Sequence, residues 1–310
     1  MKDYTLYPIN DQELFEMGNA MEAMAWNTKE VDLSMDAHHF KALRPEEQHF
    51  IKQTLAFFAA SDGVVNENIS LNFLNEVPYK EATLWFYPQQ AGNEAIHSKM
   101  YSELINSIIV GEEERNSLFK AVETSDYIRA KTEFCLEWMN PNKPLWLRLS
   151  AYLAVEGLFF CSSFASIFWI KFRYPGKMPG LVLSNDWIAR DETLHTDFSL
   201  ALLHRLGYDK AGVQRVLNHA LKLEQEFISS MLPKPLFGMS VKDMQDYARF
   251  TQERLLVKLG VIERVTLANP LPFMDKLGSE VRNNFFENRT STYQKPDILI
   301  KEDTSDAFEW

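Results

Sequence analysis

Residues 81–110 read EATLWFYPQQAGNEAIHSKMYSELINSIIV, and their reading decides the fold. The apolar residues recur at helical rather than strand spacing, yet Glu94 and His97 stand among them, three residues apart. On a helix that spacing puts both side chains on one face, where they can offer an oxygen and a nitrogen to a single metal ion. A buried glutamate beside a buried histidine needs a partner, and a divalent cation serves. Tyr101 follows His97 by four residues and Glu94 by seven, on the same stripe.

The Glu-x-x-His spacing recurs twice. Glu192 and His195 lie in SNDWIARDETLHTDF (184–198), again between apolar positions at helical spacing. Glu46 and His49 lie in RPEEQHF (44–50), directly after Pro45. Acidic residues are expected in the first turn of a helix for capping and dipole reasons, so this third pair reads as structural. Two further carboxylates interrupt apolar runs: Asp62 in FIKQTLAFFAASDGVVNENI (50–69) and Glu156 in LSAYLAVEGLFFCSSFASIFWI (149–170). A lone buried acid protonates or disrupts its helix. Asp62, Glu94, Glu156 and Glu192 around two divalent ions balance four negative charges, while His97 and His195 add a nitrogen to each ion. Four long helices bearing two such pairs and two more carboxylates form a dinuclear carboxylate bundle. Phe160 and Phe164 follow Glu156 by four and eight residues and Ile188 precedes Glu192 by four, which makes them candidates to wall in Tyr101.

Helical periodicity runs through the rest of the chain, near 11–25, 45–75, 80–109, 112–123, 126–139, 145–173, 181–207, 210–231 and 240–260, with no repeat or linker. The expectation is one all-α domain over residues 1–286, followed by a flexible tail over 287–310 (ENRTSTYQKPDILIKEDTSDAFEW). That tail is polar and aperiodic but ends on aromatics, which fits either terminal disorder or a docking peptide. The run 149–170 is long enough to span a bilayer, but its Glu156 favours a helix buried in the bundle, and no membrane is expected. A net charge of −11 argues against nucleic acid and anionic lipid surfaces as partners. With two cysteines and no regular Cys spacing, a disulfide scaffold is excluded and a reducing cytoplasmic setting is expected. The first twenty residues lack the basic start and apolar core of a signal peptide.

The stretches LAFFAASDGVVNEN, NEAIHSKMYSELI, AVEGLFFCSSFASIFW, ARDETLHTDF and NNFFENRTSTYQK resemble the small, radical-generating subunit of class I ribonucleotide reductase, of the eukaryotic and viral type, across about residues 26–293. The resemblance implies a ferritin-like helical bundle whose ligands are Asp62, Glu94, His97, Glu156, Glu192 and His195. It implies two iron ions there, with manganese as the alternative, and a stored radical on Tyr101. It also implies roles the residue pattern alone does not give. Trp26 matches the tryptophan beside the metal site, Asp191 the carboxylate that links it to His97, and Tyr293 the tail tyrosine that hands the oxidising equivalent to the large subunit. A homodimer, and reduction of ribonucleotides only together with the large subunit, are further implications. The runner-up is another dinuclear oxidase or oxygenase on this fold, acting on a small substrate; iron storage or a membrane-anchored protein comes third. Pro88 and Gly92 are expected to distort the first turns of the helix carrying Glu94. The Phe-Glu-Trp ending departs from the eukaryotic pattern, which puts partner specificity in question.

Overall fold

The computed structural model of the chain describes residues 4–274, with the side chain of Asp62 excepted; Tyr293 and the tail over 287–310 lie outside the described residues. The helices are α1 (Gln12–Ala23), α2 (Asp36–Lys41), α3 (Pro45–Asn68), α4 (Leu74–Glu76), α5 (Tyr87–Ile108), α6 (Glu112–Phe119) and α7 (Ala121–Thr124). They are followed by α8 (Asp126–Trp138), α9 (Leu145–Ala154), α10 (Cys161–Arg173), α11 (Pro179–Leu206), α12 (Lys210–Met231) and α13 (Val241–Lys258). Their ends follow local chemistry. Asp11 accepts from Leu14 N–H to start α1, Ser240 and Asp243 form a capping box on α13, and Gly207 leaves α11 at a φ of 73°.

α3 packs along α5, and α11 lies against α5, α9 and α10. α12 closes the opposite side against α8, α9 and α13. Every residue from Leu149 to Ile170 except Gly157 is buried. The run Leu145–Arg173 is long and apolar enough to cross a membrane, but its apolar surface is spent on the interior of the bundle.

Three stretches that the periodicity reads as unbroken helix contain π turns: Ile69–Phe73, Ala82–Phe86 and Val155–Phe159. Pro88 accounts for the second, because it has no N–H for the carbonyl four residues back and its ring crowds that carbonyl. The distortion therefore sits before α5, and α5 itself runs on regularly through Gly92. The third π turn carries Glu156. α2 has no counterpart in the sequence reading, since six residues are too few to establish a period. Its buried Asp36 carboxylate accepts from the N–H groups of Gly180 and Leu181, capping α11 from outside that helix's own segment.

Candidate metal centre

Glu94 from α5, Glu156 from the π turn between α9 and α10, and Glu192 and His195 from α11 converge so that one ligand atom of each lies within 4.8 Å of the others. His97 joins them, with its Nδ1 3.0 Å from Glu192 Oε1 and 3.5 Å from Glu94 Oε2. His195 Nδ1 lies 3.0 Å from Glu94 Oε1, 3.1 Å from Glu192 Oε2 and 3.8 Å from Glu156 Oε2. Asp62 stands on α3, which packs along α5; its side chain lies outside the described residues. The Glu46/His49 pair is elsewhere: Glu46 meets Arg44, and His49 Nε2 lies 3.4 Å from the Ser230 carbonyl.

These five side chains fit a pair of divalent ions. All are at most 3% exposed. Glu94 Oε2, Glu156 Oε2 and His97 Nδ1 are buried without a hydrogen bond. His97 Nδ1 is close to two carboxylates but directed at neither, as expected of ligands converging on a shared cation rather than on one another.

The protons of the cluster tell the same story. Burial pulls His97 down, but its contact with Asp191 and the nearby Glu192 and Glu94 carboxylates reverse this and lift its pKa well above the ordinary value. Burial likewise opposes the charge on His195, and the Glu192 and Glu94 carboxylates raise it well above normal. Burial and the charges of Glu192 and Glu94 push Glu156 far up. All three shifts favour the protonated forms in the metal-free cluster, where protons offset the carboxylate charge that cations would otherwise balance. Loading divalent ions is expected to release protons, because ligands bind metal only after losing them. The free site holds more protons than the loaded one, so metal affinity rises with pH. Calorimetric titration in buffers of different ionisation enthalpy measures the release; a buffer-independent heat would contradict it.

A second arrangement leaves the cluster on the side of α1. His97 Nε2 lies 3.2 Å from Asp191 Oδ2, and the same oxygen accepts from Trp26 Nε1 at 2.7 Å and from Asn93 Nδ2 at 3.1 Å. The rings of Trp26 and His97 stack with centroids 6.0 Å apart. Arg190 donates to the other Asp191 oxygen, Oδ1, at 2.8 Å. Burial works against the Asp191 charge, but His97, Arg190 and Trp26 outweigh it and hold the carboxyl below its usual range. Asp191 is therefore an ionised acceptor between an imidazole and an indole.

Tyr101, 1% exposed, stacks on Phe58 with ring centroids 4.4 Å apart and planes 2° from parallel. Phe58 in turn meets Phe160 at 5.5 Å and Phe164 at 5.0 Å, so these two rings join the assembly around Tyr101 through Phe58. Ile188 is buried on α11.

The family model described as ribonucleotide reductase, small chain, matches residues 3–264. The chain belongs to that family. Among relatives, it is 42% identical over 307 residues to the ribonucleoside-diphosphate reductase subunit M2 of Mesocricetus auratus, covering 98% of this chain and 79% of that one. It is 41% identical over 302 residues to the ribonucleoside-diphosphate reductase small chain of Vaccinia virus (strain Copenhagen), covering 97% and 94%. The ribonucleotide reductase Rnr4 homodimer from Saccharomyces cerevisiae superposes with a TM-score of 0.79 at 29% identity, over 95% of this chain and 90% of that chain. The ribonucleotide reductase R2 subunit from Clostridium botulinum, at 17% identity and a TM-score of 0.79 over 89% and 90%, shares the fold.

Within this small-chain scaffold the structure adds residues that the sequence reading passed over. Gln90 Nε2 donates to Glu94 Oε1 at 3.3 Å, Glu156 Oε1 at 3.2 Å and the Tyr152 hydroxyl at 2.8 Å, tying two of the carboxylates together. Asn93 and Arg190 hold Asp191, and Phe58 covers Tyr101. A signal was present for three of them. Gln90, Asn93 and Tyr152 stand four residues before Glu94, His97 and Glu156, one turn back on the same faces.

Proposed function

We propose that this small chain holds a di-iron centre on Asp62, Glu94, His97, Glu156, Glu192 and His195, stores a radical on Tyr101, and passes the oxidising equivalent through Trp26 and Tyr293 to a large subunit that reduces ribonucleoside diphosphates. The observation that carries this reading is the bonded series His97–Asp191–Trp26 leaving a buried carboxylate cluster. An oxidase acting on a bound substrate has no use for such a series. It needs an open face at the metals, and here Glu94, His97, Glu156, Glu192 and His195 are each at most 3% exposed.

Iron held by these residues would supply the one-electron oxidising power that Tyr101 requires, and manganese would suit the same donors. The protein's part is positioning and exclusion. Phe58 lies flat over the phenol ring and Phe160 and Phe164 pack behind it, which keeps water and reductants from Tyr101. Gln90 fixes the spacing of Glu94 and Glu156. Asp191, kept ionised, holds the Trp26 N–H and the His97 ring in one hydrogen-bonded line.

The reducing equivalents come from elsewhere. Burial pushes the Cys135 thiol up to about 12 and the Cys161 thiol well above normal, so neither is a thiolate at neutral pH. The reading therefore needs a thiol-bearing large subunit, docked by the tail over 287–310, and includes a homodimer of this chain in the cytoplasm. The test is Tyr293→Phe assayed with a class I large subunit. Turnover is expected to fall to background while bound metal and the radical signal stay at wild-type levels. Unchanged turnover would favour the oxidase reading.

A further inference from the structure

Lys131 on α8 is 1% exposed and belongs neither to the carboxylate cluster nor to the Trp26 series. Its ammonium donates to Glu224 Oε2 on α12 at 2.7 Å and to the backbone carbonyl of Phe159 at 3.1 Å. Ring faces enclose the rest: Nζ lies 3.5 Å from the centroid of Phe57, 4.2 Å from Phe227 and 4.7 Å from Phe159. Glu224, fully buried, takes a second hydrogen bond from the Ser162 hydroxyl on its other oxygen.

An ion pair this deep is a poor way to gain stability, because desolvating both charges offsets their attraction, and an apolar replacement of similar volume is often neutral or better. The carbonyl it reaches gives the pair a purpose. Phe159 is the last residue of the π turn that carries Glu156. The resumed α ladder of α10 starts with the bond from Phe164 N–H to the Phe160 carbonyl, so the Phe159 carbonyl falls in the gap where the two ladders change over. A π turn accommodates one residue more than the α spacing, and each residue turns a helix by about 100°. Relaxing it to α would swing Glu156 away from Glu94, Glu192 and His195, or rotate the buried face of α10. Some donor must stabilise that carbonyl if the turn is to persist.

We propose that Lys131 is a positioning residue for the metal centre: its ammonium, held in place by Glu224 and the three rings, bonds the Phe159 carbonyl and so keeps the π turn that aims Glu156 into the cluster. The proposal rests on the dinuclear reading of the site, and its test separates the two. Apo-protein is titrated with Mn2+ alone, without oxygen or large subunit, for the wild type, Glu224→Gln and the double variant Lys131→Met/Glu224→Gln. Thermal unfolding and site-resolved hydrogen exchange accompany each titration.

Glu224→Gln keeps the Lys131 donor and should still bind two ions. The double variant removes the buried charge altogether and should unfold no earlier than Glu224→Gln. It should nevertheless bind one of the two ions about 10- to 100-fold more weakly, the scale for partners of metal ligands, with faster exchange at residues 155–163. A role confined to charge pairing gives the opposite order, with Glu224→Gln the more impaired. Two-ion binding and exchange unchanged in the double variant would overturn the proposal while leaving the dinuclear reading intact; a wild type that binds fewer than two ions would overturn that reading itself. Exchange on the wild type alone decides the matter if the double variant does not fold: protection at 155–163 matching the surrounding core is expected, and early local exchange there would overturn the clamp.

Discussion

Glu192→Ala is expected to leave a folded chain that no longer takes up two metal ions. Glu192 reaches both histidines of the cluster, with Oε1 3.0 Å from His97 Nδ1 and Oε2 3.1 Å from His195 Nδ1. The His195 charge and its hydrogen bonds overcome the cost of burial and depress the Glu192 carboxyl below its ordinary value. It lies between the two histidines, as Glu94 also does, so its loss would remove one of the carboxylates that would hold the ion pair. The affinity should fall by more than the about 10- to 100-fold typical when only a partner of a ligand is lost. Stoichiometry should drop to one ion or none, measured by metal analysis after desalting, and reductase turnover should fall to background. Two tightly held ions per chain in this variant would remove Glu192 from the site.

Trp26→Phe is expected to separate storage of the radical from its use. Phenylalanine keeps an aromatic ring against His97 but lacks the indole N–H that donates to Asp191 Oδ2 at 2.7 Å. Asp191 keeps its contacts with His97, Asn93 and Arg190, so it is not left bare. The stability cost should be about 1–3 kcal/mol, the scale for one buried hydrogen bond lost. Bound metal and the Tyr101 radical should remain, while turnover with the large subunit falls to background. Turnover close to that of the wild type would take Trp26 off the route, since a residue on it must show its loss in kcat.

Much of this was legible in the sequence because helices convert spacing into proximity. Glu94/His97 and Glu192/His195 could be read as same-face pairs, and Glu156 as an acid with no business in an apolar run unless something met it. What periodicity cannot carry is the place where a helix departs from its own period. The π turn at Val155–Phe159 and its proposed clamp involve Lys131, which looks like one more surface lysine on α8, and Glu224, one of two acids on α12. Contacts between distant segments were hidden for the same reason. Phe58 and Tyr101 are stacked, yet lie on different helices with no shared spacing to mark them. Asp191 and Trp26 came only through family resemblance; without it, an acid beside Glu192 reads as solvated surface, whereas it is fully buried.

The most direct measurement is low-temperature EPR on apo-protein given ferrous iron and oxygen, with Tyr101→Phe alongside. The predicted result is a sharp organic radical signal in the wild type, an unpaired spin stored on the ring that Phe58 covers, and its absence from a variant that still binds two irons. A wild type that takes up two irons and oxygen yet yields no such radical, or a variant that keeps it, would contradict the assignment of Tyr101 as the radical store.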